Sequence, residues 1–252
     1  MTPAQAIATT LAGVAAGAIN TVVGSGTLIT FPTLLALGYP PVTANVSNTL
    51  GLIPGSLSGA YGYRSELAGQ RMRLTRLVVA SLLGGTLGGL LLLTLPASVF
   101  SAAVPVLVTA ALVLVVIQPR TARRMAASDR HHYGTGPVPA LAVAGCGAYG
   151  GYFGAAQGVL LIATLSLCLP DDLQRLNAMK NVLVGLVNLT AAIIFLAAAP
   201  IAWPAVGCIA IGSLLGGHIG AGIGRRLPPA VLRSVIVTAG LTAIANLVLI
   251  RK

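Results

Sequence analysis

Charge is what this 252-residue chain has least of: 15 lysines and arginines and 4 aspartates and glutamates make 8% charged residues, against roughly a quarter in an ordinary soluble domain. With 56% apolar residues, it has too few polar side chains to cover a water-facing surface. Aromatic residues are only 4% of the chain and are not interleaved with its arginines, so the net charge of +11 carries no signature of nucleic-acid binding. Cys146, Cys168 and Cys208 stand singly, with no C-x-x-C spacing, which excludes a disulfide framework or a metal knuckle built on them. No basic residue precedes the apolar stretch Met1 to Ala18, so this stretch reads as a first membrane span and not as a cleaved signal peptide. There is no H-E-x-x-H, no pair of intramembrane aspartates and no Ser-His pair at a suggestive spacing. No catalytic residue, metal or cofactor is therefore expected.

What the chain does have is repetition. Ser81-Leu-Leu-Gly-Gly-Thr-Leu-Gly88 returns 132 residues later as Ser213-Leu-Leu-Gly-Gly-His-Ile-Gly220, with six of eight positions identical. The same offset carries Gly13 onto Gly145, Gly26 onto Gly158, Asn45 onto Asn177 and Leu95-Pro96 onto Leu227-Pro228. Duplicated halves in a span-rich chain are a common architecture of secondary transporters. The fold class expected is all-α: a polytopic membrane protein with a first repeat over 1–118, a basic cytoplasmic linker over 119–137 and a second repeat over 138–252.

Apolar stretches run over 4–38, 42–62, 74–94 and 97–117, and again over 138–169, 174–199, 202–224 and 229–250. A hydrocarbon core about 30 Å thick takes about 20 helical residues, so six of these are single spans. The stretches 4–38 and 138–169 are too long, and both are interrupted, by Gly24-Ser25-Gly26 and by Gly154-Ala-Ala-Gln-Gly158. Each repeat is expected to be three spans plus a helical hairpin, either two short crossings or a re-entrant pair. Arg64, Arg71, Arg73 and Arg76 mark one connection of the first half, and the matching connection, Ala197 to Trp203, is uncharged. The next pair reverses: Leu95 to Ser98 is uncharged, whereas its counterpart carries Arg225, Arg226 and Arg233. Because positive loops favour the cytoplasm, equivalent loops fall on opposite sides and the repeats are expected to be inverted. The linker arginines 120, 123, 124 and 130 then lie inside, and only Arg251 and Lys252 fall on the wrong side.

Two polar clusters open long spans. Asn45, Ser47, Asn48 and Thr49 follow Gly38-Tyr39-Pro40-Pro41, and Asn177, Lys180 and Asn181 follow Pro170-Asp171-Asp172. Asn45, Asn48 and Thr49 map onto Asn177, Lys180 and Asn181, and the i, i+3, i+4 spacing puts each trio on one helix face. Helix starts attract anions, and amides and an ammonium on the same face add donors, so a small oxyanion is the expected ligand. Lys180 is the sharpest residue, since an intramembrane lysine is a functional signal unless it snorkels to the interface from its depth of about 9–10 Å. Gly24, Ser25, Gly26, Gln157 and Gly158 join the expected site, because broken backbone at membrane depth must be buried in protein or line a cavity. His218, which replaces Thr86 at a matched position, is the proton-coupling candidate, with a packing role as the alternative. Asp171 and Asp172 read as helix caps, and His131 and His132 as solvated linker residues.

The segments Gly17-Ala-Ile-Asn-Thr-Val-Val-Gly-Ser-Gly-Thr-Leu-Ile-Thr-Phe-Pro-Thr-Leu34, Thr43-Ala-Asn-Val-Ser-Asn-Thr49, Gly150-Gly-Tyr-Phe-Gly-Ala-Ala-Gln-Gly158 and Asn177-Ala-Met-Lys-Asn181 resemble the sulfite exporter TauE/SafE family of membrane permeases. The likeness covers nearly the whole chain. It departs from the family's pattern at Gln157-Gly158, at Thr164, where a proline is usual, and at Lys180 among amides. The resemblance implies movement of a sulfur oxyanion or organosulfonate, such as sulfite or sulfoacetate, across the cytoplasmic membrane of the cell. A passive anion channel, or a membrane-embedded enzyme or assembly factor, are the competing readings. The expected partners are a small anionic substrate and the lipid bilayer, with no nucleic acid and with a homo-oligomer left open.

Overall fold

A computed structural model describes residues 1–126 and 136–223, and every regular element among them is helical. Helix α1 (Pro3–Val22) starts at a capping box: Thr2 Oγ1 accepts from Gln5 N at 3.3 Å and Gln5 Oε1 accepts from Thr2 N at 2.9 Å. It breaks at residues 23–26, and α2 (Thr27–Ala36) follows. Helix α3 (Pro41–Gly62) begins at Pro40-Pro41, where proline tolerates the missing N–H bond. A 3-10 turn, Arg64–Leu67, leads to α4 (Arg71–Thr94) and α5 (Ala97–Ala126). In the second half α6 (Pro137–Tyr152) and α7 (Gln157–Cys168) flank the second break. Helix α8 (Leu173–Ala198) is capped by Asp172, whose Oδ2 accepts from Gln174 N at 2.9 Å, and α9 (Trp203–Ile223) ends the described chain.

Five of these helices are long and apolar enough to cross a bilayer: α1, α4, Ala97–Ile117 of α5, α8, and Trp203–Gly222 of α9. Helix α3 is as long but carries Asn45, Ser47, Asn48 and Thr49 in its first half. At 1.5 Å per residue α2 and α7 reach only about 15 and 18 Å, half the hydrocarbon core. Neither long stretch is therefore a pair of full crossings. Helix α5 runs on to Ala126, so the first part of the expected linker 119–137 is helical. Residues 97–126 contain no glycine, and neither Pro105 nor Pro119 ends the helix. The expected last span over 229–250, Arg225, Arg226, Arg233, Arg251 and Lys252, and the linker residues Arg130, His131 and His132 lie outside the described residues.

The main packing is made twice. Helix α1 lies along α9, and α6 lies along α4; the 132-residue offset turns one pair into the other with the halves exchanged. Both contacts are backbone against backbone. A Cβ on Gly216 of α9 would collide with the Val14 carbonyl of α1, and one on Gly84 or Gly88 of α4 with the Ala144 or Ala148 carbonyl of α6. This is the close approach expected of small-xxx-small faces. Helices α3 and α8 cross at the centre in opposite directions. Tyr63, just after α3, packs with Ala178 near the start of α8, and Ser47, near the start of α3, accepts from Ala202 N beyond the end of α8 at 2.9 Å. The start of α8 is tied to the 3-10 turn and α4 by Arg175 Nη2 to Ala68 O at 3.1 Å, and by Asp171 to Arg175 at 2.7 Å and Arg73 at 3.4 Å. The outer faces present Leu11, Leu83, Val106, Leu141 and Ile193, each more than half exposed, as a lipid-facing surface requires.

A valine at Gly88 should lower stability in detergent by about 1–3 kcal/mol, because backbone cannot yield as a flexible side chain does. Gly145, which has nothing within 4 Å of an added Cβ, should accept alanine with a gain of about 0.5–1 kcal/mol from helix propensity. Thermal unfolding of the two variants measures both.

Candidate functional site

The two hairpin breaks meet. Gly24 adopts φ 87° and Ala156, at the matched position, adopts φ 58°; among the described residues Ala156 is the only non-glycine at positive φ. Left-handed backbone costs an L-residue roughly 1–2 kcal/mol, so the turn geometry is held by its surroundings. Gly24 O accepts from Gly158 N at 3.0 Å, and the two backbones lie too close for a Cβ on either residue. Phe153, in the second break, packs edge to face on Phe31 of α2 at 5.2 Å and on Phe100 of α5 at 5.9 Å, so one half's break is seated in the other half's core.

A helix that ends inside a membrane leaves carbonyls that water does not reach. The α8 trio serves those of α1. Lys180 is fully buried, and its Nζ donates to Asn20 O at 2.9 Å and to Thr21 O at 3.1 Å. Asn177 Nδ2 and Asn181 Nδ2 both donate to Thr21 O at 3.2 Å. The trio was expected to exploit the positive start of its own helix; its side chains instead reach the negative end of α1, where a cation is stabilised. Lys180 therefore does not snorkel. Its stem runs past Gly158, whose added Cβ would lie 3.0 Å from Lys180 Cδ.

The α3 trio does part of the same work. Asn45 Nδ2 donates to Tyr152 O, at the end of α6, at 3.0 Å. Asn48 stays within its own half: Nδ2 donates to Thr27 Oγ1 at 3.2 Å and Oδ1 accepts from Thr30 Oγ1, tying α3 to α2. Thr49 Oγ1 bonds back to Asn45 O at 2.9 Å, and Ser47 points to the α8–α9 connection. Each helix trio thus reaches across the repeat boundary to the broken helix of the other half. Counting helical rise from where Ser56 of α3 meets Gly185 of α8, Lys180 lies about 8 Å to one side and Asn45 about 16 Å to the other. The trios occupy separate levels.

Around the crossing, Thr21 Oγ1, Ser25 Oγ, Asn45 Oδ1, Gln157 Nε2 and Asn177 Oδ1 are buried without a hydrogen-bond partner among the described residues. Among the described residues the N–H groups of Ser25, Gly26 and Thr27, at the start of α2, have no backbone partner either. Gln157 is folded over Gly150. Buried polar atoms in native proteins are nearly always bonded, so this concentration marks a place built to hold something polar. His218 lies apart, exposed on the outward face of α9, with no hydrogen bond among the described residues. No group of three metal-ligating side chains occurs among the described residues.

Asn20, Thr21, Ser56 and Tyr152 belong to this centre and were not singled out from the sequence. Asn20 Nδ2 donates to Ser56 Oγ at 3.3 Å while its carbonyl receives Lys180. An Asn-Thr pair ending an apolar run just before a glycine break was a usable signal. The roles of the Thr21 and Tyr152 carbonyls were not, since every residue has one.

Long apolar helices around two broken hairpins that cross at a buried polar centre define a multi-pass membrane transporter. The family comparison says the same: the model of the sulfite exporter TauE/SafE family matches residues 9–247, and the chain belongs to that family. It is 28% identical over 239 residues to a "Probable membrane transporter protein" of Haemophilus influenzae, covering 90% of each chain. It is 28% identical over 238 residues to the "Probable membrane transporter protein YfcA" of Escherichia coli, covering 90% of this chain and 85% of that one. No solved structure matches the chain.

Ser25→Ala should raise the unfolding temperature in the absence of substrate, by an amount equivalent to about 1 kcal/mol, because it removes a buried hydroxyl that bonds nothing. Asn45→Ala should lower it by a similar amount, since it strips the Tyr152 carbonyl of its donor. A fall in both would mean that Ser25 has a partner after all.

Proposed function

We propose that this transporter carries a small oxyanion, a sulfur oxyanion or organosulfonate of the sulfite or sulfoacetate kind, across the cytoplasmic membrane, and binds it between Lys180 and the start of α2. The observation that carries this reading is the fully buried Lys180 side chain, which has no acidic partner among the described residues and lies beside Gly158 at the hairpin crossing. The unbonded N–H groups of Ser25, Gly26 and Thr27, with the hydroxyls of Ser25 and Thr21 and the Gln157 amide, add neutral donors of the kind an oxyanion needs. The orphan Asn177 oxygen is an acceptor and suits a water or hydroxyl that accompanies an anion.

The halves, in this reading, are inverted repeats about an axis in the membrane plane. The support is the opposed course of α3 and α8, and the exchange of α1–α9 for α6–α4 under the offset. In a background without the three native cysteines, Ser65→Cys and Ala198→Cys should react with an impermeant thiol reagent from opposite faces of the membrane. Labelling of both from one face would rule out the inversion.

Charge at residue 180 should dominate anion binding, because charge-assisted hydrogen bonds are about twice as strong as neutral ones. Lys180→Met should weaken it roughly ten- to a hundredfold, equivalent to about 1.5–3 kcal/mol, and Lys180→Arg should keep part of it. Sulfite and sulfonate flux in proteoliposomes, with and without a proton gradient, tests the transport itself. Flux that never saturates and ignores every gradient but the anion's own would indicate a passive channel.

A further inference from the structure

We propose that Lys180, and not His218, is the proton-binding group of the carrier, and that a proton enters and leaves with the anion at this one side chain. The inference rests on the anion-carrying reading above. It starts from the number of acceptors. Lys180 Nζ has two partners, the carbonyls of Asn20 and Thr21. An ammonium has three N–H donors; a neutral amine has two, and a lone pair. The two carbonyls take both N–H donors of the amine and leave the ammonium one acceptor short.

Among the described residues no side chain supplies the missing acceptor or a counter-charge. Of the four carboxylates, Asp171 is held by Arg73 and Arg175, Asp172 caps α8, Glu66 belongs to the 3-10 turn, and Asp129 lies outside the described residues. Helix α8 packs against α3, α4, α6, α7 and the 3-10 turn, and its side chains bond the end of α1. Helix α1 has no titratable side chain, and α3 has only Tyr61, which is 64% exposed. Helix α6 brings Cys146, facing Thr164, Tyr149, whose hydroxyl donates to Ala155 O at 2.7 Å, and Tyr152, whose ring lies on Phe100. Helix α7 brings Cys168 at its far end, α4 brings Arg71, Arg73 and Arg76 in its first two turns, Tyr63 before the 3-10 turn is buried against Ala178, and Arg64 of that turn lies over Tyr61. None of them bonds Lys180. His218 faces outward on α9, which puts it off this path.

A buried charge without a counter-charge is strongly disfavoured, and two carbonyls offset only part of that cost. An oxyanion at the hairpin crossing would supply both the third acceptor and the opposite charge. Anion and proton then favour each other by the same factor, as linkage requires. The step is Lys180 amine plus a solvent proton giving the ammonium on the loading side, and the reverse on the releasing side; with a monovalent sulfonate the loaded carrier moves no net charge. Proton uptake accompanies binding only where the substrate-free lysine is neutral, so it is present at alkaline pH and vanishes as the pH falls.

The test is calorimetric titration of the full chain in detergent with methanesulfonate, which does not itself titrate near neutrality, at pH 8 in two amine buffers of different ionisation heat. The wild type should show a buffer-dependent heat equivalent to about one proton taken up per anion. Lys180→Arg, checked for a single folded species by gel filtration, should still bind methanesulfonate but show no buffer dependence. Wild-type binding with no proton uptake would overturn the inference and leave the transport reading standing, whether or not the variant folds. Proton uptake that persists in Lys180→Arg would place the coupling elsewhere and overturn it as well. If methanesulfonate, sulfoacetate and sulfite all fail to bind the wild type, the transport reading falls, and the inference with it.

Discussion

A helix that stops inside a bilayer must find partners for its last carbonyls without help from water, and the rest of this structure follows from how two such ends are served. The end of α1 is met by Asn177, Lys180 and Asn181 from the other half, and the end of α6 by Asn45 from the first. Because each unbonded group in hydrocarbon costs several kcal/mol, neither half can bury its own broken hairpin alone. The exchange of donors between repeats makes the two halves mutually dependent, and it brings Gly24 and Gly158 into contact at the crossing.

The duplication is symmetric in architecture and unequal in chemistry. Where α3 has Asn48, bonded to α2 within its own half, α8 has Lys180, bonded across the boundary. An amide can end its search for partners on two neutral hydroxyls. A lysine with only carbonyls around it is one acceptor and one negative charge short as an ammonium. The inequality therefore concentrates the electrostatic demand at one of two otherwise matched places, beside the orphan hydroxyls and amide of the first and second breaks.

The glycine-rich spans work at a different level. They let α1 and α9, and α4 and α6, approach until backbone touches backbone, which is how helices associate in lipid, where apolar burial offers little advantage over the acyl chains. Those rigid pairs frame the crossing and leave leucine, isoleucine and valine on the outside.

Much of the architecture was legible in the residues themselves. The scarcity of charge, the 132-residue repeat and the long apolar stretches with glycine breaks determined a helical, duplicated membrane protein with two broken hairpins. Spacing alone placed Asn45, Asn177, Lys180 and Asn181 on shared helix faces. What a face points at is a matter of tertiary structure. The sequence suggested helix starts as the anion-attracting element of the trios, whereas their side chains turn to the carbonyl ends of the opposite hairpins. Backbone carbonyls are the same at every residue and carry no sequence signal, so the partners of Lys180 could emerge only once the chain was folded. His218 shows the converse: its substitution for Thr86 was visible in the repeat, but which side of α9 faces the protein is decided by the helices it packs against, α1 and α3, both on the glycine side.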